Sequence, residues 1–132
     1  MATALILDDD LGFVLWLSQA LAPGEIQAIP SLKVTEAKRL LRELGLNVDV
    51  LIVNPMVPGA GAYAKTLLSQ QRKLRMMAVV ERPEDQAAVP FIVHAVRTKP
   101  LILDDLAMSE WRQAIERLLS GASEPQGGRA IA

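Results

Sequence analysis

Three consecutive acids, one lysine and one asparagine stand at the ends of apolar runs, where a cation or a phosphoryl group could be held. Asp8, Asp9 and Asp10 follow Leu5, Ile6 and Leu7. Asn54 closes the run 48–53, and Lys99 precedes Pro100 after a third apolar segment. Clustered carboxylates with a lysine suit a hard cation and a phosphoryl group, provided that the fold brings them together. Each signal is weak alone. Three acids after a strand also read as a solvated turn capping the next helix, and a lysine before a proline is commonplace. Asn54 brings no charge, and its amide nitrogen is no nucleophile toward a phosphoryl donor.

The elements that must position these residues alternate short apolar runs with helical periodicity, the pattern of βα units around a parallel sheet. A first strand at 5–7 leads to a helix over 11–21, with Phe13, Val14, Leu17 and Leu21 on one stripe. Pro23 and Gly24 stop it. A poorly signalled strand at 25–29 belongs at an edge. Ser31 or Thr35 is expected to cap the next helix, whose stripe is Ala37, Leu40, Leu41 and Leu44, with Gly45 ending it. The run 48–53 is apolar enough to be a central strand covered on both faces.

A helix is expected over about 62–72, carrying Tyr63, Leu67 and Leu68, then a fourth strand at 76–80. Arg72, Lys73 and Arg75 form a small basic cluster, most simply a solvated helix end. Pro83, Glu84 and Asp85 start a helix that Pro90 cuts short, so the fourth helix is short or kinked. A fifth strand lies within 91–99. The final helix sets Trp111, Ala114, Ile115, Leu118 and Leu119 on one face and ends at Gly121. In an open parallel sheet, loops at the carboxyl ends of the strands converge. Asp8–Asp10, Asn54, Glu81 and Lys99 are therefore expected to be neighbours.

With that order of elements, the chain resembles a response-regulator receiver domain of two-component signal transduction, up to about Gly121. The resemblance implies an α/β, flavodoxin-like (βα)5 fold, a doubly wound parallel five-stranded sheet of order 2-1-3-4-5. It places Asp8 and Asp9 as the acidic pair holding Mg²⁺, and Met56 as the residue whose backbone carbonyl completes the metal shell. Asn54 falls on the phosphoacceptor aspartate, Lys99 on the lysine that pairs with the phosphoryl group, and Pro100 on the proline, usually cis, after it. The departures are three. Asn54 replaces the acceptor. Val80, or Glu81 if the register shifts by one, replaces the hydroxyl residue. Val96 replaces the aromatic switch. The resemblance thus implies a pseudo-receiver with a degenerate phosphoacceptor pocket of Asp8, Asp9, Asn54, Val80 and Lys99. The alternatives are a divergent receiver phosphorylated on Asp8, Asp9 or Asp10, and a small flavodoxin-like nucleotide or flavin binder.

Losing one carboxylate beside a dication costs a few kcal/mol at an effective dielectric of about 20, so Mg²⁺ is expected to be weak or absent at Asp8, Asp9 and Met56. Lys99 is then expected to bond one of the acids, with Asn54 bridging. No catalytic residue and no cofactor is expected. His94 is the only histidine, which excludes multi-histidine metal clusters, and it reads as a strand or surface residue rather than a catalyst.

Composition narrows the class further. With 132 residues, 51% of them hydrophobic, the chain has material for one core and not comfortably for two. The expected division is a receiver-like domain over 1–121 and a tail or linker stump over 122–132. A net charge of −1 gives no general attraction to nucleic acid or membrane. There is no cysteine, no signal peptide and no apolar stretch near the roughly 18 residues of a spanning helix, so a cytoplasmic protein is expected. The expected partner is another protein, such as a histidine kinase or other signalling protein. It would dock on the face made by the fourth helix, fifth strand and last helix, which also offers a route to a homodimer.

Overall fold

In the computed structural model, residues 1–90 and 93–121 are described. Five strands alternate with helices: β1 (Ala2–Leu7), α1 (Leu11–Leu21), β2 (Ile26–Ser31), α2 (Val34–Leu44), β3 (Val50–Val53), α3 (Ala60–Gln70), β4 (Arg75–Val80), β5 (Ala95–Thr98) and α4 (Asp105–Leu119). All pairings are parallel and the sheet order is β2-β1-β3-β4-β5, the flavodoxin-like arrangement expected. β2 is an edge strand, as its weak signal implied.

Alternation along the strands divides the core in two. Leu5, Leu7, Leu51, Val53, Met76, Ala78 and Val80 pack beneath α2 and α3. Ala4, Ile6, Val50, Ile52, Met77 and Val79 pack beneath α1 and α4. Every residue of β3 is buried, because helices cover both of its faces. Phe13, Trp16 and Trp111 form the aromatic centre of the second layer, with Phe13 and Trp111 ring centroids 5.4 Å apart and edge-to-face.

Several expectations are corrected. Neither Ser31 nor Thr35 caps α2. Ser31 ends β2 and its hydroxyl donates to the Ile6 carbonyl at 2.7 Å, while Lys33 occupies the cap with no side-chain bond. Glu36 serves instead, accepting from the Leu32 N–H at 2.8 Å. Leu44 points away from the core, because α2 rests on the sheet mainly through Ala37, with Val34, Leu40 and Leu41 half-buried. α3 begins two residues earlier than expected, at Ala60, after Gly59 adopts a left-handed φ of 79° that a glycine takes without strain. Met76 and Met77 are core residues, and Gly45 ends α2 as expected.

The short fourth helix is a 3-10 segment, Pro83–Ala88. Pro90 has no N–H to continue a helix, and Val89 is already extended. The fifth strand is short; Phe91 and Ile92, within its expected range, lie outside the described residues, as does the expected tail 122–132. Among the described residues, no helix is long and apolar enough to cross a membrane.

Candidate functional site

The sheet positions the site by extending each ladder one residue past a strand. The Asp8 N–H donates to the Ser31 carbonyl at 3.2 Å, Asn54 N–H to the Leu7 carbonyl at 2.9 Å, and Lys99 N–H to the Val80 carbonyl at 2.9 Å. Three residues 45 or more positions apart in sequence are thereby locked side by side at the carboxyl ends of β1, β3 and β5. All three are buried: Asp8 is 1% exposed, Asn54 2% and Lys99 9%.

Asp8 is the hub. Its carboxylate lies 3.0 Å from the Lys99 ammonium and accepts from the Asp10 N–H at 2.9 Å and the Asn54 amide at 3.3 Å. The other end of the Asn54 amide is also held, with Oδ1 accepting from the Met56 N–H at 2.9 Å. Lys99 in turn reaches Glu81 at 2.7 Å and Asp10 at 3.6 Å, and its ammonium sits 4.9 Å from the centre of the Phe13 ring. The expected ion pair with Asn54 alongside is therefore present.

Burial pushes the Asp8 carboxyl above the usual carboxylate value, against the pull of the Asp10 N–H, Lys99 and Asn54. Burial alone would lower Lys99, but its hydrogen bonds to Glu81 and Asp8 outweigh that and hold it above the usual lysine value.

The remaining expected residues fall unevenly. Asp9 is exposed, while Asp10 accepts from the Phe13 N–H at 3.2 Å and caps α1. Met56 is 81% exposed. Val80, the last residue of β4, and Val96, in β5, are both buried in the layer under α3. The Lys99–Pro100 bond is trans, contrary to the cis form that the resemblance carries. His94 is buried just ahead of β5, away from this pocket.

For the divalent cation that the resemblance implies, the donors in this arrangement do not fit. Asp8 is already occupied by three donors, the Asn54 carbonyl faces the Met56 N–H, and Asp9 points to solvent. Among the described residues, no group of three His, Cys, Asp or Glu side chains is placed to hold a metal. The Lys99 ammonium supplies the positive charge.

Sequence reasoning placed Glu81 among the neighbours of Lys99 but named only the acids 8–10 as its ion-pair partners; the structure adds Glu81. Its signal was there: it follows β4 immediately, as Asp8 follows β1.

No protein-family model matches the sequence, and no curated protein matches it. The fold does have matches. A response regulator from Thermotoga maritima superposes with a TM-score of 0.72 at 15% identity, over 91% of this chain and 98% of that one. A chemotaxis response regulator of Vibrio cholerae gives 0.61 at 20% identity, over 85% and 98%. A receiver domain protein from Clostridium thermocellum gives 0.62 at 18%, over 89% and 99%. This chain has the receiver fold. With that frame, Asn54 stands at the end of the central strand β3 with its amide bonded at both ends.

Proposed function

We propose that this protein is a phosphorylation-independent pseudo-receiver, a cytoplasmic module that acts in two-component-type signalling through protein contacts rather than as an enzyme. The observation that carries this reading is the Asn54 amide. Its nitrogen donates to Asp8 and its oxygen accepts from Met56, so the position offers no nucleophile and no free charge. Val80 and Val96 support it, since neither has a hydroxyl or a ring with which to follow a phosphoryl group. The pocket works as an ion-paired cluster holding one conformation, with Mg²⁺ not retained.

The partner class is a signalling protein such as a histidine kinase. The docking face is that of the 3-10 segment 83–88, β5 and α4, with homodimerisation on the same face. At its edge Leu101, Ile102, Leu103 and Leu106 are exposed, four large apolar side chains within six residues.

Incubation of the full chain with a small-molecule phosphodonor and Mg²⁺, read by intact mass, tests the reading. The expected result is an unmodified chain. A stoichiometric phosphoryl adduct would sink it and favour phosphorylation on one of the acids 8–10.

A further inference from the structure

At the opposite end of the sheet from Asn54, where β4 begins, lies a cavity of about 740 Å³ lined in part by Arg72, Lys73, Arg75, His94 and Asp49. Three cations face one carboxylate there, and that carboxylate is already engaged, accepting from the Thr3 N–H at 2.7 Å. Among the described residues, none of the three cationic side chains makes an ion pair or a hydrogen bond. Arg75 lies against the end of α4, where a β-carbon built on Gly121 would come 3.4 Å from its Nη2. The carbonyl end of α4 favours a cation at this place.

His94 adds an oriented donor. The Met76 N–H donates to its Nδ1 at 3.0 Å, and the His94 N–H returns a bond to the Met76 carbonyl at 2.9 Å. A ring that accepts at Nδ1 while neutral carries its proton on Nε2. His94 is 7% exposed and lines the cavity, and its Nε2 has no hydrogen-bond acceptor among the described residues. Burial, together with the Arg75 charge, holds its pKa below the usual histidine value.

The geometry points to a binding site for a small phosphorylated molecule carrying two or more negative charges, with Lys73 and Arg75 as counter-charges and His94 Nε2–H as a fixed donor. Concave volume, cations without an ion-pair partner among the described residues, and a donor without an acceptor occur together, and guanidinium and ammonium groups bond phosphate oxygens strongly. The site is independent of the Asn54 pocket and of the function proposed for it.

His94 is the sole histidine, so its ring Nε2 gives one unambiguous reporter signal by NMR. The full chain titrated with pyrophosphate, and separately with ATP, both without divalent metal, is expected to show a saturable shift of that signal. Lys73→Gln and Arg75→Gln are each expected to weaken it about tenfold, the loss of one charge-assisted hydrogen bond. Tighter binding of ATP than of pyrophosphate assigns a nucleotide; the reverse assigns the phosphate group alone. Absence of saturation, an equal response to acetate, or unchanged binding in both variants overturns the site.

Discussion

Glu81 Oε1 lies 2.7 Å from the Lys99 ammonium, closer than the buried Asp8 carboxylate at 3.0 Å. The shorter contact is the weaker support. The Glu81 side chain is 56% exposed and screened by water, whereas that of Asp8 is 1% exposed and has Lys99 as its only cation among the described residues. Distance ranks these two bonds one way and burial the other, and burial decides their energies.

Lys99→Met should therefore destabilise the fold, by about 3–5 kcal/mol, because it leaves the Asp8 charge buried without a counter-ion. Glu81→Gln should change stability by less than about 1 kcal/mol. Chemical denaturation of both variants checks the contrast; a Lys99→Met variant as stable as the native chain would count against it.

Asn54→Asp places a second buried carboxylate beside Asp8 and removes the amide donor that bonds it. The variant should melt below the native chain in metal-free buffer and recover on addition of millimolar Mg²⁺. The native melting temperature should not respond to Mg²⁺. Equal responses in the two proteins would mean that Asn54 is not what weakens cation binding.

Stability should fall on acidification through the histidine range. His94 is held below its usual pKa in the fold, so the unfolded chain binds the extra proton first. The contribution is complete above about pH 6.5 and is lost as the pH drops toward the folded value. Burial first, and then the Arg75 charge, disfavour charging of the ring. Melting curves from pH 7.5 to 5 for the native chain and His94→Gln should differ in slope; parallel curves would remove His94 as the cause.

Trp16 Nε1 is buried without a hydrogen-bond partner among the described residues, although the ring packs against Phe13 and Trp111. An unmet buried donor costs about 1–3 kcal/mol. Trp16→Phe keeps a ring and removes the donor, so it should be neutral or stabilising in a thermal melt. A loss as large as that of a cavity mutant would show that the indole's volume outweighs its N–H.

The sequence by itself determined the alternation of strands and helices, the central place of β3, the truncated fourth helix and the convergence of Asp8, Asn54 and Lys99. Each rests on local information: apolar period, glycine and proline placement, and the rule that strand ends in a parallel sheet face one crevice. Tertiary structure alone decided which acids serve which partner. Asp10 turns back to cap α1 and Asp9 turns to solvent, an outcome set by the rotation of the chain as it leaves β1. Glu81 was expected near Lys99 from its place at a strand end, but that it bonds the ammonium at 2.7 Å follows from β4 and β5 lying side by side. The same holds for α2, where Ser31 is consumed by the β1–β2 ladder before it can cap, and for His94, whose tautomer is set by a backbone N–H on the neighbouring strand. Side-chain choice among near-equal local options is made by whichever buried partner is left unsatisfied, and that is known only when the strands are assembled.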